Sequence, residues 1–332
     1  MATKTRRHST NIVVLVFTLL VVGAVSVYLD WTSIYAILIK ADSSWFLLSI
    51  VVYMLNYLLR AYRFKLLIQS IAVPLRELMG IACLHGMFTY LMPAKTGEFS
   101  YLWLIRRYRG VQLTESTASL VVARFFDFAV ISLFLPAVLV VFWDRLPQSM
   151  MITAAVFCGI VYVVGGGAII YFRRPTAELI QSSSVQKNAV AVKIIASWRG
   201  FVDAVHLIHQ RGGYLKLLLL TTAIWLCIYT TFYCVVRSLG FEPTYAQMVV
   251  VSIILIPITL LPLQGFANIG THEMGFVFAF ALFGYSHEDA LLIAVSSHIL
   301  LLVLVMLLGA VGFIFLRQDG SSGVKTGEGY GT

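Results

Sequence analysis

Residues 11–29, NIVVLVFTLLVVGAVSVYL, contain no charged side chain. One helical crossing of a bilayer needs about 20 predominantly apolar residues. Comparable runs recur near 45–59, 116–142, 150–172, 214–236 and 289–316. A chain cut this way can only be a polytopic helical membrane protein. Its composition agrees: 60% of its 332 residues are hydrophobic and 12% are charged, against about 25% charged in soluble domains. The run of 11–29 is longer than the roughly 7–15 residues of a secretory signal core. It therefore reads as a retained first helix.

The net charge of +9 sits beside the apolar runs, not on a soluble face. That is the positive-inside pattern of cytoplasmic loops, and it points to anionic lipid headgroups, not nucleic acid, as the partner. Lys4, Arg6 and Arg7 place the N-terminus in the cytoplasm. A nearly neutral exterior loop is expected over 30–44, and a helix over 45–59 returning to Arg60, Arg63 and Lys65. Residues 173–213 form one sizeable basic cytoplasmic loop. Its segment 190–210 spaces apolar residues as an amphipathic surface helix does. The same spacing fits a plain helix packed under the bundle. The last helix ends at Arg317, which puts the C-terminus in the cytoplasm, and the Gly/Ser-rich tail 319–332 reads as disordered. Cys83, Cys158, Cys227 and Cys234 all lie within apolar runs and form no CxxC pair, so they read as core residues.

Two segments do not fit simple crossings. Residues 77–93 end at Pro93, and 99–105 are too short to span, yet Arg106, Arg107 and Arg109 follow. A full crossing at 77–93 would leave these arginines outside. The consistent arrangement is a hairpin that enters from the cytoplasm, breaks near 93–97 at mid-depth and returns. Irregular backbone at that depth must be buried in protein or line a wet cavity. Residues 246–284 repeat the device from the opposite face. The expected fold is therefore an all-α polytopic membrane protein. It has about six transmembrane helices plus two re-entrant half-helix pairs, with inverted-repeat units at about 45–143 and 214–316 inside a single membrane domain, 1–318. Interrupted hydrophobic segments at matching places in two halves point to a mid-membrane binding site.

The breaks carry the chemistry. Thr96-Gly97-Glu98 in the first echoes Thr271-His272-Glu273 in the second. Each is followed on the next helix by a residue that bears or can bear positive charge, Arg124 or His298. A charged residue at the centre of a transmembrane helix costs roughly 2.5–3.5 kcal/mol on insertion scales. Lys95, Glu98, Arg124, Asp127 and Glu273 must therefore pair or face water or a ligand. Thr96 is placed to cap the returning half-helix, and Lys95 adds a full charge beside it. Together with Gly97, and with Gly270 and Thr271 in the other half, they offer a seat for an anionic headgroup. The alternative is that these charges satisfy one another: Lys95 with Glu98, Arg124 with Asp127, or a glutamate with Arg124. His298 reads equally as a hydrogen-bonded core residue. No nucleotide, metal or hydrolase motif is present, and no cofactor is expected.

The motifs MPAKTGEFSYLWLIRR and LPLQGFANIGTHEMGF, with ARFFD between them, resemble the family built on the transmembrane region of lysylphosphatidylglycerol synthase, also called flippase-like. The resemblance covers about 11–316. Pro93, Gly97 and Glu98 match its first motif, with Lys95 inside it; Arg124 and Asp127 match the second; Gly265, Gly270 and Glu273 match the third. Tyr101 and His298 stand where arginines are frequent in the family. The resemblance implies a helical domain with re-entrant segments that moves a lipid across the bilayer. The soluble aminoacyl-transfer domain of the fused synthases is not in this sequence.

The expected function is thus a lipid flippase of the cell (inner) membrane that binds an anionic or phosphate-bearing headgroup at mid-membrane. The lipid would be an anionic phospholipid, an aminoacyl-phospholipid or a polyprenyl-phosphate-linked lipid. Two other readings stay open. One is a lipid-modifying transferase with Glu98 or Asp127 as general base. The other is a non-catalytic membrane partner of a lipid or glycan biosynthetic enzyme.

Overall fold

A computed structural model describes residues 30–68, 70–171, 213–260 and 265–317. The expected first helix, 11–29, residues 173–212 of the cytoplasmic loop with its amphipathic segment, and the tail 319–332 lie outside the described residues. The described residues form ten α-helices: α1 (Trp31–Ile39), α2 (Ser43–Leu67), α3 (Leu75–Leu91), α4 (Phe99–Arg109), α5 (Leu113–Val141), α6 (Gln148–Tyr171), α7 (Tyr214–Ser238), α8 (Tyr245–Leu260), α9 (Thr271–Ala281) and α10 (His287–Arg317). Five of them, α2, α5, α6, α7 and α10, are long and apolar enough to cross a membrane.

Two local expectations are corrected. Segment 30–44 is not only a loop, because Asp30 caps α1 by accepting from Thr32 N–H at 3.0 Å. The Ser33 and Thr32 hydroxyls hold its carboxyl down at about 2. Asp42 then caps α2, accepting from Ser44 N–H at 2.7 Å. Nor does α2 stop near residue 59. No Gly or Pro interrupts the sequence there, and Leu, Arg and Lys are good helix formers, so it continues to Leu67. Arg60, Arg63 and Lys65 therefore belong to the helix and not to a loop behind it.

The lead helices of the two units, α2 and α7, pack antiparallel. Asp42 N–H donates to the Ser238 carbonyl at 2.8 Å at one end. Asn56 Nδ2 donates to the Ile224 carbonyl at 3.4 Å further along, and Arg63 Nη1 donates to Thr221 Oγ1 at 3.3 Å beyond it. Each unit then runs hairpin and closing helix in the same order, α3–α4–α5 and α8–α9–α10. The two units are thus inverted copies of one plan.

At 1.5 Å per residue, the 17-residue α3 reaches only about 26 Å, short of the roughly 30 Å hydrocarbon core. Glu77 near its start and Arg109 at the end of α4 form an ion pair, so both ends of this hairpin lie on one side. That side also gathers Lys65, Arg76, Arg106, Arg107, Lys216 and Arg317. The hairpin α8–α9 opens at the opposite end. There the Tyr245 ring lies 5.6 Å from that of Tyr233, and Phe283 lies 5.1 Å from Phe142 at the end of α5. This second end is acidic, with Asp30, Asp42, Asp144, Glu242, Glu288 and Asp289.

One apolar cluster, including Phe64, Ile81, Tyr101, Ile105 and Leu308, fills the basic half. Another, with Tyr229, Val250, Phe276, Phe280 and Ile293, fills the acidic half. Lipid tails are as apolar as leucine, so hydrophobicity alone does not hold membrane helices together; close packing and polar pairing do. Along α3 and α10 the packing is tight and antiparallel, with Gly80 against Leu316, Leu84 against Gly312 and Met87 against Gly309. The breaks of the two hairpins touch each other in the interior.

Candidate functional site

Among the described residues, the non-glycine positions with left-handed backbone are Lys95 (φ 59°), Ala267 (φ 54°) and Asn268 (φ 61°). All three lie in the breaks. Such a conformation costs on the order of 1–3 kcal/mol and persists only where the surroundings hold it.

The first break is a 3-10 turn, Pro93–Glu98, that leads straight into α4. It lies directly on the last turn of α3. A β-carbon on Gly97 would sit 2.2 Å from the Phe88 carbonyl oxygen and 2.5 Å from Thr89 Cα. Both are backbone atoms that cannot step aside, so only glycine permits the fold-back. Thr96 donates its hydroxyl to the Pro93 carbonyl at 2.8 Å. It therefore does not cap the returning helix as the sequence suggested.

Glu98 faces α5. Its two carboxylate oxygens accept from Arg124 Nη2 at 2.6 and 2.8 Å. Arg124 Nη1 donates to Asp127 Oδ2 at 3.0 Å, and Asp127 Oδ1 accepts from Arg63 Nη1 at 2.6 Å. Arg63 is 1% exposed. His85 on α3 closes the edge of this chain. Its Nε2 is 3.8 Å from Glu98 Oε2, and its Nδ1 lies 3.1 Å from Ser100 Oγ. A ladder of alternating charge thus joins α2, α5 and the first break.

Sequence reading missed Arg63 because it stands between Arg60 and Lys65, where it looked like one more flanking cation. A signal was present. Asn56, Arg60 and Arg63 recur at helical spacing on one face of α2, opposite the chain's buried Asp127.

Two cations stand outside the ladder. Lys95 is half-buried, within electrostatic reach of Glu98 and Arg124. No hydrogen bond or ion pair is formed by it among the described residues. Arg60 donates to Asn56 Oδ1 at 2.7 Å and lies over the Tyr57 ring at 5.6 Å, without a carboxylate. Arg60, Arg63, Lys95 and Arg124 therefore outnumber Glu98 and Asp127.

The second break, Gly265–Gly270, is built differently. Gly270 N–H donates to Glu273 Oε2 at 2.7 Å, and Thr271 donates its hydroxyl to the Asn268 carbonyl at 2.9 Å. Glu273 Oε1 meets His298 Nδ1 in a short contact. His298 Nε2 lies 2.8 Å from the Ala267 carbonyl oxygen. The His272 ring stacks on Phe276 at 4.2 Å and lies 4.6 Å from that of His298.

The candidate residues thus fall into two groups. Lys95, Thr96, Gly97, Glu98, Arg124 and Asp127 meet at the first break; Gly270, Thr271, Glu273 and His298 meet at the second. The first group is accessible, with Arg124 and Glu98 side chains 33% and 23% exposed. The second is closed, with His298 and Glu273 at 4% and 12%. Among the described residues, no cluster of His, Cys, Asp and Glu is placed to hold a metal ion.

Beyond Arg124 on the same face of α5, Ile131, Leu135 and Val138 open onto an apolar cavity of about 450 Å³. It lies between α5, α6, α8 and α9, and its polar lining is limited to Ser149 and Thr153 toward the acidic end. Tyr101, at the position where an arginine is frequent in the family, is fully buried. It stacks on Phe64 at 4.2 Å and shares a 2.9 Å hydrogen bond with Ser119.

No curated protein matches the chain at a significant level. The family described as the lysylphosphatidylglycerol synthase TM region matches residues 11–309, a span that includes both breaks and the whole charge ladder. The molecule is accordingly a multi-pass membrane protein of a lipid-related family, and the chain belongs to the lysylphosphatidylglycerol synthase TM region family.

Proposed function

We propose that this protein is a lipid translocase that holds an anionic headgroup at the first break while the lipid passes between leaflets. One observation carries the reading: Lys95 is a cation without a salt bridge among the described residues, held in a left-handed conformation where the two breaks meet. The counterpart of Lys95 in the second break, three residues before the glutamate, is Gly270, also left-handed at φ 86°. Glycine is the residue that takes this conformation without strain. A lysine kept there bears both backbone strain and the cost of an embedded charge, and an anionic ligand offsets the second. Arg60 adds a further cation within the same cluster.

The shared chemistry of the substrate is a phosphate beside a long apolar chain. An anionic phospholipid, an aminoacyl-phospholipid and a polyprenyl-phosphate-linked lipid all fit. The cavity on the Arg124 face of α5 suits the chain. The basic end of the bundle faces the cytoplasm by the positive-inside rule, which puts both termini there and the protein in the cell membrane. A transferase reading is less well supported, because both carboxylate oxygens of Glu98 and both of Asp127 already accept from arginine. A lipid or glycan biosynthetic enzyme fits as a partner that supplies or consumes the lipid.

The test is transport of a fluorescent phosphatidylglycerol in proteoliposomes. Lys95→Ala should slow it about tenfold or more, the size of one lost charge-assisted contact of about 1.5–3 kcal/mol. Unchanged transport in a well-folded variant would remove the reading.

A further inference from the structure

Glu273 and His298 carry a consequence that depends on hydrogen-bond geometry and not on the identity of any lipid. A carbonyl oxygen only accepts hydrogen bonds, so His298 Nε2, 2.8 Å from the Ala267 carbonyl, must bear a hydrogen. On the other side of the ring, Nδ1 meets Glu273 Oε1. The remaining carboxylate oxygen, Oε2, is already occupied as the acceptor for Gly270 N–H.

The arrangement is satisfied by one proton between Nδ1 and Oε1, and by no other number. An imidazolium beside a carboxylate and a neutral imidazole beside a carboxylic acid use the same contacts and carry the same net charge. Without that proton, an imidazole lone pair faces a carboxylate oxygen and the bond is lost. With a second proton, either two hydrogens meet head-on at Oε1 or Oε2 becomes a hydroxyl oxygen and a weaker acceptor for Gly270 N–H. Either change frees α9 or the break from α10.

The surroundings supply no substitute charge. The titratable groups that face the pair are Tyr90 on α3, with its ring 6.0 Å from His298, and His272 on α9, whose Nε2 lies 3.4 Å from Ser297 Oγ. From α7 the nearest contribution is the Phe232 ring, beside His272. Among the described residues no other carboxylate or cation pairs with either group. The same contacts also hold the left-handed pair Ala267 and Asn268 in place, so their loss releases stored strain.

We propose that Glu273 and His298 form a one-proton binding site that latches the second break to α10, so that hairpin α8–α9 loosens when the proton leaves. The substitution Glu273→Gln tests this directly. A glutamine oxygen can accept from Gly270 N–H while its amide donates to His298 Nδ1, which reproduces the one-proton state permanently. Glu273→Ala reproduces neither contact.

The measurement is hydrogen–deuterium exchange of the full-length protein in detergent, followed over 265–281 across the pH window in which 75–91 stays protected and corrected for intrinsic exchange. Wild type should lose protection there by about tenfold or more across the window. Glu273→Gln should stay protected throughout, and Glu273→Ala should be unprotected throughout. Exchange over 75–91 should be unchanged in all three, which separates release of the latch from global unfolding. A wild-type profile flat with pH, or a Glu273→Gln profile that follows wild type, overturns the proposal. Both readouts are independent of lipid, so a failure of the headgroup reading leaves this test intact.

Discussion

The two breaks of this molecule are built on one plan and finished for different work. Each places a glutamate at the start of a returning half-helix and pairs it with the closing helix of its own unit, Glu98 with Arg124 and Glu273 with His298. The partner makes the difference. Arg124 is permanently charged and donates to Asp127 as well, which extends the pair into a ladder ending at buried Arg63. His298 can gain or lose a proton and ends on a backbone carbonyl. The first break is partly open and rich in cations, whereas the second is closed, with its glutamate held by Gly270 N–H and His298. The two units thus share a frame, and single residues at equivalent positions, Lys95 and Gly270 above all, separate the proposed binding surface from the proposed latch.

Substitutions can break that comparison in order of severity. Asp127→Ala should act most strongly, because it strands Arg63 in the interior and removes one of the two Arg124 partners. Uncompensated buried charge costs about 3–5 kcal/mol. Thermal unfolding in detergent should show a large fall in Tm, and pairing the change with Arg63→Met should recover part of it. In the second unit, His298→Ala removes the proton-sharing contact to Glu273 and the hydrogen bond to the Ala267 carbonyl, and the shared proton can stay on Glu273, so no charge is stranded. The expected loss is about 1–3 kcal/mol, so a drop equal to that of Asp127→Ala would contradict the contrast drawn between ladder and latch.

The turns themselves sharpen the comparison further. Gly97→Ala forces a methyl group onto the α3 backbone and should cost about 1–3 kcal/mol. Gly270→Ala places a β-carbon at a positive φ of 86°, a penalty of roughly 1–2 kcal/mol. The smallest and most telling change is Lys95→Gly. It relieves a strained φ without removing an ion pair. Stability should be equal to wild type or higher by roughly 0.5–1 kcal/mol, while transport of the anionic lipid falls. A Tm that drops with this variant would show that Lys95 is structural.

Much of this plan was legible in the sequence because parity and charge are strict. The arginines at 106, 107 and 109 could not be reconciled with a crossing at 77–93, and the Glu77–Arg109 pair shows the hairpin that resolves the conflict. Parity and segment length located both breaks, and the echo of Thr96-Gly97-Glu98 in Thr271-His272-Glu273 is a weaker match whose second half lies at the start of α9. What the sequence hid was partner choice. Arg63 looked like a flanking cation because a sequence carries no depth, and only the continuation of α2 carries it inward to Asp127. Thr96 looked like a helix cap, because the 3-10 turn that redirects its hydroxyl to Pro93 has no periodicity to read. The role of Gly97 was equally hidden: it answers to the backbone of another helix, not to its neighbours in sequence.

The central claim, that the first break and not the second holds an anionic headgroup, is tested most directly by native mass spectrometry of the detergent-solubilised protein titrated with phosphatidylglycerol against phosphatidylcholine. Wild type and His298→Gln should both retain phosphatidylglycerol preferentially, and Lys95→Gly should lose the preference. Equal retention by wild type and Lys95→Gly, or loss of the preference in His298→Gln alone, would contradict the account.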